Sequence, residues 1–380
     1  MFGRIVPVTG PLDWLADAAA SREQAGLTRE LRPVSDDGVL DLAGNDYLGL
    51  RQHPAVVAGA VAAAQAYGGG AGASRLVTGT LDIHGELEAA LARLVGGPAA
   101  LVLSTGYAAN LAVLGALTDR STLIVSDAHA HASLIDGARL SRAEVAVARH
   151  NDVAHVAELL RGSRHDRRVV VVESVYSVLG DLAPLEELLD VVTAAGALLV
   201  VDEAHALGVV GNVGEGALAS AGLTDWEHVV ITGTLSKSFA AQGGFVIGLP
   251  SVVDQLVNTA RPFIYDTGLA PAAAGAALGA LTVLHDDPGL AKRVRSAGRM
   301  LSSACGVAAP AGAVMSVPMP GPREALAAVE AARSHGIRIG AFRPPSTPDG
   351  ISRLRLTAHA HHTDDELARA CAVLRELVSR

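Results

Sequence analysis

Short runs of consecutive apolar residues alternate with segments of helical hydrophobic spacing between about residues 99 and 247. Val169-Val-Val-Val172 and Leu198-Leu-Val-Val201 are apolar at every position, as strands covered on both faces are. The pattern predicts strands at residues 100–103, 122–125, 144–148, 168–173, 197–201, 228–232 and 244–247. It predicts helices between them at residues 108–117, 132–140, 153–160 and 185–195. Such alternation is typical of an α/β domain around a large, mostly parallel seven-stranded sheet.

The hydrophobic spacing changes after Pro271. Residues 271–304 have the pattern of one long helix that is interrupted near Asp286-Asp-Pro-Gly289. A smaller α/β unit is predicted after it, with strands at 314–317, 337–341 and 353–357 and helices at 323–334 and 363–378. Thr363 and Glu366 form a capping box at the start of the last helix.

These patterns predict three parts of the chain. Residues 11–31 have helical spacing and many charges, and a short strand runs into a turn at residues 40–49. We therefore expect an N-terminal arm (1–46), a large α/β domain (47–285) and a small C-terminal α/β domain (286–380).

Composition and charge exclude several classes of function. The chain has 380 residues and a formal net charge of −9, and no basic stripe predicts a nucleic-acid partner. Its two cysteines, Cys305 and Cys371, fit neither a metal pattern nor a disulfide framework, which favours a reducing compartment. The start of the chain lacks a long apolar segment, and no uninterrupted apolar run reaches about 18 residues. We expect a cytoplasmic protein with no membrane partner.

Only two of the 30 basic residues are lysines. Lys292 lies in a charged helical segment, whereas Lys237 lies among small and apolar residues between Ile231 and Gly244. Unlike arginine, a lysine amine loses its proton when desolvated and can attack a carbonyl to form a Schiff base. Lys237 is thus a candidate nucleophile, and the alternative is an incidental loop lysine.

Polar residues follow most of the predicted strands. Because the carboxyl ends of parallel strands meet at one edge, we expect these groups to lie together. The segments concerned are Ser104-Thr-Gly-Tyr107, Asp127-Ala-His-Ala-His131, Glu173-Ser-Val-Tyr-Ser177, Asp202-Glu-Ala-His205 and Gly233-Thr234 with Lys237. The first of these opens a helix directly, so its amides suit an anion such as phosphate.

Other interpretations of these segments carry less support. Asp-Glu-Ala-His resembles a helicase tetrapeptide, but no Gly-Lys-Ser/Thr phosphate loop accompanies it. The 14 histidines lack zincin spacing, so we expect no metal site. The glycines at 68–72 follow a helix, which is the wrong context for a dinucleotide loop. His131 has the alternative of a packing role at a helix start.

The combination fits one cofactor. Pyridoxal 5′-phosphate (PLP) needs a lysine for its aldehyde, an aspartate for its ring nitrogen and a phosphate cup. Lys237, Asp202 and the amides after Thr105 supply these groups, while His131 can stack on the ring and His205 can bind the phenolic oxygen.

Eight motifs occur in the order found in the α-oxoamine synthases, which the chain resembles from about residue 12 to its end. The motifs are Asn45-Asp-Tyr-Leu-Gly49, Gly72-Ala-Ser-Arg75 with His84, Ser104-Thr-Gly-Tyr-Ala-Ala-Asn110, His131-Ala-Ser133, Glu173-Ser-Val-Tyr-Ser177, Asp202-Glu-Ala-His-Ala-Leu-Gly208, Thr234-Leu-Ser-Lys237 and Arg343-Pro-Pro345. The resemblance implies a fold-type I, aspartate-aminotransferase-like PLP enzyme that condenses an amino acid with an acyl thioester and releases CO₂. The chain is most similar to members that join L-alanine to a pimeloyl thioester in biotin biosynthesis.

The resemblance also implies residue roles. The residues expected to act in catalysis are Lys237, His131, Asp202 and His205. Further residues expected to bind the cofactor are Gly106, Tyr107, Ser177, Thr234 and Thr267. Those expected to bind substrate are Arg29, Asn45, Ser74, His131, Arg343 and Ser346. Arg343 would bind the substrate carboxylate, with Arg353 and Arg355 as the arginines to test next if it does not. Arg29 would bind the acyl substrate, with Arg32 also available. Thr267 would reach the cofactor of a neighbouring subunit, since the family's active sites lie at a homodimer interface.

Three questions stay open from sequence. A sibling enzyme that uses glycine or another acyl-CoA is the nearest alternative, and a non-catalytic PLP-fold or nucleotide-binding protein is the alternative from another class. The acyl carrier is either CoA or an acyl carrier protein. Val178-Leu-Gly-Asp181 and the Ser238-Phe239 pair after Lys237 depart from the family pattern, which leaves the local loop shape and acyl-chain fit unspecified.

Overall fold

The computed structural model describes residues 10–31, 33–34 and 38–378, so Arg32 lies outside the described residues. The α-helices of the described residues are α1 (Trp14–Gln24), α2 (Pro54–Tyr67), α3 (Asp82–Val95), α4 (Gly106–Leu117), α5 (Ala132–Ser141), α6 (Val153–Gly162), α7 (Leu185–Ala194), α8 (Ala217–Ser220), α9 (Pro250–Thr259), α10 (Arg261–Ile264), α11 (Pro271–Asp286), α12 (Gly289–Cys305), α13 (Pro322–Ser334) and α14 (Asp364–Val378). The strands are β1 (Leu40–Asp41), β2 (Ala99–Leu103), β3 (Thr122–Asp127), β4 (Glu144–Ala148), β5 (Arg167–Glu173), β6 (Leu198–Asp202), β7 (Val229–Thr234), β8 (Gly244–Gly248), β9 (Val314–Pro318), β10 (Ile337–Arg338), β11 (Gly340–Phe342) and β12 (Arg353–Thr357).

The large sheet has seven strands in the order β2-β8-β7-β6-β5-β3-β4. Strands β7, β6, β5, β3 and β4 pair in parallel, whereas β8 pairs antiparallel with both β2 and β7. Strand β2 therefore runs in the same direction as the parallel strands, and its carboxyl end lies at the same edge as theirs. The predicted mostly parallel seven-stranded sheet is confirmed.

The apolar runs are buried on both faces of this sheet. In β5, Val170 and Val172 belong to one hydrophobic core, while Val169 and Val171 belong to the other. Because side chains alternate between the faces of a strand, an uninterrupted valine run is what a sheet with helices on both sides requires. This burial anchors the strand ends, from which the polar residues project.

The small C-terminal unit contains a three-stranded antiparallel sheet in the order β11-β12-β9. The sequence predicted one strand at residues 337–341, but the structure divides it, because β10 pairs with β1 and β11 pairs with β12. Ile339 between them is buried. A change of pairing partner within five residues leaves no trace in an apolar pattern.

Two local predictions are confirmed. The long helix after Pro271 is interrupted, since α11 ends at Asp286 and α12 begins at Gly289. The capping box also forms: the Thr363 amide donates to Glu366 Oε2 (2.8 Å), and the Glu366 amide donates to Thr363 Oγ1 (3.3 Å). The division into arm, large domain and small domain stays a prediction. None of the helices in the described ranges is long and apolar enough to cross a membrane.

Helices α2 and α11 approach each other closely at a pair of glycines. A Cβ atom built on Gly59 would lie 2.3 Å from the carbonyl oxygen of Gly275, and the reverse distance is also 2.3 Å. Real Cβ atoms do not approach a backbone oxygen so closely, so the contact requires glycine on both helices.

We expect Gly59→Ala to destabilise the protein. Alanine raises helix propensity by about 1 kcal/mol, but overpacking against a rigid backbone costs about 1–3 kcal/mol or more. At 2.3 Å the packing cost is at the upper end, so the free energy of unfolding should fall. Gly85→Ala on α3 is the control, because its Cβ would meet nothing within 4 Å. Urea unfolding should show a loss for the first variant and a gain for the second. A gain for both would contradict the close contact.

Candidate active site

The carboxyl ends of the large-sheet strands surround a cavity of about 250 Å³. The strands and the loops after them supply its lining, as expected for an open α/β sheet. The lining residues are Thr105, Gly106, Tyr107, Asn110, His131, Ser133, Glu173, Asp202, Ala204, His205, Gly233, Thr234, Ser236 and Lys237. The lysine, the acid and the two histidines singled out by the sequence thus lie together.

Lys237 heads a chain of hydrogen bonds. Its Nζ lies 3.0 Å from His205 Nε2, and His205 Nδ1 lies 2.7 Å from the hydroxyl of Tyr47. The Tyr47 hydroxyl donates its proton to Asn45 Oδ1 at 3.1 Å, so it accepts from Nδ1–H of His205. The Nε2 atom of neutral His205 therefore carries the lone pair, which accepts a hydrogen bond from the lysine amine.

Burial has the largest effect on the pKa values of Lys237 and His205. Burial lowers the pKa of Lys237 from 10.5 to about 8, against the opposing charges of Asp202 and Glu173. Burial, with the charges of Lys237 and Arg355, also lowers the pKa of His205 well below 6.5. At neutral pH the histidine is neutral, and a fraction of the lysine is a free amine.

Asp202 ends β6, and its buried carboxylate is held by two donors. Asn110 Nδ2 donates to Oδ2 at 2.7 Å, and the amide of Ala204 donates to Oδ1 at 2.9 Å. Asn110 also donates to Ser133 Oγ at 2.8 Å. Two amide donors stabilise a negative charge at this position, which a protonated ring nitrogen would require.

His131 is linked to Asp202 through the same asparagine. It is the N-cap of α5, and its Nδ1 lies 2.7 Å from Ser133 Oγ. The amide of Ser133 donates to Nδ1 of His131 at 3.3 Å, so Nδ1 is an acceptor and the Ser133 hydroxyl proton points to it. The His131 proton then resides on Nε2, and burial lowers the pKa of the ring. Asn110 and Ser133 thereby fix the tautomer of a histidine in the cavity wall.

Glu173 is a second buried acid in the cavity. It pairs with Asp202 in the register of β5 and β6, and its Oε2 accepts from the amide of Ser177 at 3.1 Å. Burial, then the charge of Asp202, raises the pKa of Glu173 to about 8. This carboxyl group is therefore largely protonated at neutral pH, and its Oε1 has no partner among the described residues.

The start of α4 forms the anion end of the cavity. Thr105 caps the helix, accepting from the amide of Ala108 at 2.9 Å, and Gly106 is the first helical residue. The amides of the first turn have no partner within a helix, and the helix dipole favours a negative charge there. A Cβ on Gly106 would lie 2.8 Å from Thr234 Cβ, so only glycine leaves this space open. The residues present therefore fit a phosphate group.

A second cavity of about 570 Å³ adjoins the first and shares His131, His205 and Lys237 with it. The other lining residues are Asn45, Ala128, His129, Ala130, Ala132, Ile135, Ser177, Val178, Phe342, Pro345, Ser346, Pro348 and Arg355. Arg355 on β12 is buried, donates from Nε to the carbonyl of Ser177 (2.7 Å) and lies 5.1 Å from the centroid of the Phe342 ring. A fixed cation thus lies in the same cavity as the lysine amine.

A third cavity of about 160 Å³ continues from the second, with Phe342 and Ser346 lining both. Arg29 donates to Ser346 Oγ at 2.9 Å. Arg343 donates to the carbonyl oxygens of Gly26 and Thr28, the latter at 3.3 Å. Two guanidinium groups therefore meet where the N-terminal segment contacts the small unit.

The structure brings most of the predicted site residues together. Those lining the three cavities are Arg29, Asn45, Gly106, Tyr107, His131, Ser177, Asp202, His205, Thr234, Lys237, Arg343 and Ser346. Ser74 and Thr267 line none of them. The Ser74 carbonyl accepts the amides of Val77 and Gly79, and Thr267 donates its amide to Asp266. The individual roles of all these residues stay predictions.

Sequence reasoning gave no role to four further residues of the site and named a fifth, Arg355, only as an alternative to Arg343. They are Tyr47, Asn110, Ser133, Glu173 and Arg355. All except Arg355 lie inside the quoted motifs, and Glu173 ends an apolar strand at the polar edge. Within the described ranges, no group of three or more metal-ligating side chains could hold a metal ion.

Known proteins share this architecture. The sequence profile of the aminotransferase class I and II family matches residues 37–374. The 8-amino-7-oxononanoate synthase of Mycolicibacterium gilvum (strain PYR-GCK) is 53% identical over 372 residues, covering 97% of this chain and 98% of that protein.

Two solved structures have folds similar to that of this chain. A serine palmitoyltransferase from S. paucimobilis with a bound PLP–myriocin aldimine has a TM-score of 0.89 and 29% identity, covering 96% of this chain and 97% of that one. An 8-amino-7-oxononanoate synthase from Francisella tularensis has a TM-score of 0.78 and 25% identity, covering 90% of this chain and 99% of that one. The predicted fold-type I architecture is confirmed by these likenesses. With its profile match, its sequence identity and its sheet topology, the chain belongs to the aminotransferase class I and II family.

Proposed function

We propose that the chain is a PLP-dependent acyltransferase that condenses L-alanine with a pimeloyl thioester. The products are 8-amino-7-oxononanoate, CO₂ and a free thiol, as in biotin biosynthesis. The observation that carries the proposal is the Lys237 amine, a fraction of which is neutral at pH 7, lying 3.0 Å from His205 and in one cavity with Asp202. The identity to the Mycolicibacterium gilvum enzyme supports this choice of substrates.

The residues of the first cavity fit PLP. Lys237 would hold its aldehyde carbon, Asp202 its ring nitrogen, and the amides at Gly106 and Tyr107 with Thr234 its phosphate. Glu173 pairs with Asp202 across β5 and β6, and its carboxyl group accepts from the amide of Ser177, which lines the second cavity. When bound, PLP supplies an electron sink for a carbanion at the α-carbon of the amino acid.

Lys237 is the natural base for the α-proton. A base with a pKa near the working pH combines a populated free amine with enough proton affinity. The lone pair on His205 Nε2 accepts one N–H of the amine and keeps Nζ near the cavity centre. His131 has its Nε2–H available for a substrate oxygen, because Ser133 occupies Nδ1.

Arg355 is our candidate for the alanine carboxylate. Its guanidinium lies in the cavity that contains Lys237, and bonds to Ser177 and Asn45 fix its orientation. Arg343, which the resemblance assigned to this task, lines the third cavity with Arg29. We assign these two arginines to the far carboxylate of the pimeloyl chain. The apolar residues Ile135, Val178 and Phe342 would contact its methylene groups.

The active unit in this proposal is a cytoplasmic homodimer. Two large apolar side chains of the single protomer are exposed to solvent, Val77 at 74% and Tyr265 at 72%. Asp266 beside Tyr265 accepts from Ser104, next to the phosphate end of the cavity. Thr267 is exposed beside Asp266, and from this surface it would reach the partner's cofactor. A monomer in analytical ultracentrifugation at micromolar concentration would exclude this arrangement. The buried free thiols of Cys305 and Cys371 suit the reducing cytoplasm.

We expect Lys237→Ala to lose the covalent link to the cofactor and nearly all turnover. No other lysine lines the cavity, and Lys292 is exposed on α12. Borohydride reduction followed by peptide mass spectrometry should place the cofactor on Lys237 in the wild type and on no residue in the variant. Lys292→Ala is the matched control and should retain both label and activity. Labelling of another residue in Lys237→Ala would contradict the assignment.

Arg355→Ala and Arg343→Ala should separate the two carboxylate sites. Leaving a buried carboxylate without its partner costs about 2–4 kcal/mol, or about 30- to 1,000-fold in affinity. We expect Arg355→Ala to raise the KM for L-alanine by this factor. Arg343→Ala should raise the KM for the thioester instead. If Arg343→Ala alone raises the KM for alanine, the role suggested by the resemblance is correct and ours is wrong.

A substrate panel tests the reaction itself. Thiol release should be fastest for a pimeloyl thioester with L-alanine, compared with acetyl-CoA, succinyl-CoA or palmitoyl-CoA and with glycine or serine. The physical reason is that two cations close a cavity lined by apolar residues. Faster release with glycine and acetyl-CoA or succinyl-CoA would favour a sibling enzyme. A visible cofactor band with no turnover on any pair would favour a non-catalytic protein. Offering the pimeloyl group on CoA and on acyl carrier protein identifies the carrier.

A further inference from the structure

A histidine outside all three cavities bridges two carboxylates from different strands. His150 Nδ1 lies 2.8 Å from Asp127 Oδ1, and His150 Nε2 lies 2.8 Å from Asp181 Oδ2. Asp127 ends β3, His150 follows β4, and Asp181 lies in the loop after β5. One imidazole ring therefore joins the ends of three neighbouring strands at the polar edge of the sheet.

Both ring nitrogens must donate for this bridge to be complete. A neutral imidazole has one N–H, so its other nitrogen would place a lone pair against a carboxylate oxygen. Burial lowers the pKa of His150, but the hydrogen bonds and charges of Asp127 and Asp181 outweigh it and raise the pKa from 6.5 to about 9. The histidine is therefore a cation over most of the physiological range.

Other groups around His150 support the bridge. The ring of His129 stacks on it at a centroid distance of 3.8 Å, and Tyr176 meets it edge-on at 4.5 Å. The pKa of His129 is lowered by its burial and by the charge of His150, so one ring of the stack is neutral. The neighbouring Arg149 forms an ion pair with Asp152 and does not bind either bridging carboxylate in the described contacts.

The segment after Asp127 and the segment before Asp181, which His150 joins, both line the second cavity. Residues 128–131 follow Asp127 and end at His131, with all four lining the cavity. The segment before Asp181 carries Ser177 and Val178, which line it too. Asn151 links the same two carboxylates, because its amide donates to Asp127 Oδ2 (2.9 Å) and its side chain donates to Asp181 Oδ2 (2.8 Å).

We propose that the His150 cation is a positioning residue that clamps the segment carrying His131 to the segment carrying Ser177. It touches no substrate or cofactor itself. It acts by fixing the direction in which the chain leaves β3, and thus the place of the His131 ring in the cofactor cavity. The inference rests on the proposed function, in which the cavity lined by His131 holds PLP, but its readouts do not require the condensation reaction.

The direction of the pH dependence follows from the two states. The folded protein holds the His150 proton more tightly than the unfolded chain does, with a pKa of about 9 against 6.5. The stability from this proton is complete below about pH 6.5 and is lost as the pH rises through about 9. Alkaline pH should therefore loosen the clamp.

His150→Gln tests the proposal, since glutamine can donate to only one carboxylate. His165→Gln is the matched control, because His165 lies 3.4 Å from an exposed carboxylate, Glu144, at the other end of β4. Asp181→Asn is a second variant that keeps the side-chain size and removes one charge. For each protein, the dissociation constant of PLP and the thermal unfolding midpoint of the apo-protein are measured at pH 7 and pH 9.5.

We expect His150→Gln to weaken PLP binding about tenfold relative to wild type at pH 7, and by much less at pH 9.5. The difference in unfolding midpoint between His150→Gln and wild type should also be smaller at pH 9.5 than at pH 7. Asp181→Asn should show the same two effects as His150→Gln. His165→Gln should match wild type in both measurements. Equal PLP affinity at pH 7, or a difference that does not change with pH, would overturn the proposal. If these results hold but the substrate panel shows no preference for a pimeloyl thioester with L-alanine, the proposed reaction is wrong and the positioning role of His150 is still supported.

Discussion

The site depends on the burial of one primary amine, that of Lys237, in a cavity that also contains the carboxyl groups of Asp202 and Glu173. Burial and, to a smaller extent, the charge of Arg355 lower the pKa of Lys237, whereas Asp202 and Glu173 oppose them, so the pKa is about 8. A fully exposed lysine would stay protonated, and a lysine paired tightly with one carboxylate would stay charged. The chemistry of a nucleophile that must also act as a base requires the intermediate value.

The sheet explains how two acids come to face that amine. Parallel register places Glu173 opposite Asp202 at the ends of β5 and β6. Burial of the Glu173 carboxyl group, followed by the charge of Asp202, raises the pKa of Glu173 to about 8. Glu173 is therefore largely protonated at neutral pH. Strand pairing and burial together thus place a neutral acid beside Asp202.

Much of the fold was predictable because its determinants are local. Strand and helix positions in the large sheet follow from apolar runs, and the residues after each strand share an edge by topology alone. The divided strand at 337–341 was not predictable, since β10 and β11 differ only in their distant partners, β1 and β12. Likewise, β12 carries two arginines, Arg353 and Arg355, which the sequence alone does not distinguish. Tertiary contacts with Ser177 and Asn45 hold Arg355 in the cavity that contains Lys237. His150 gave no signal because its partners are 23 and 31 residues away.

The N-terminal segment is attached to the small C-terminal unit at several points. Strand β1 pairs with β10, Arg343 binds the carbonyl of Gly26, and Arg323 binds that of Gln24. The arginines of the third cavity therefore lie where the N-terminal segment contacts the small unit, while Lys237 lies in the loop after β7 of the large sheet. In the proposed reaction the substrate would span both, with its thioester near Lys237 and its far carboxylate at the arginines. The distance between these two places would then select the length of the acyl chain, so chain-length preference can evolve through the arm without altering the chemistry at the lysine.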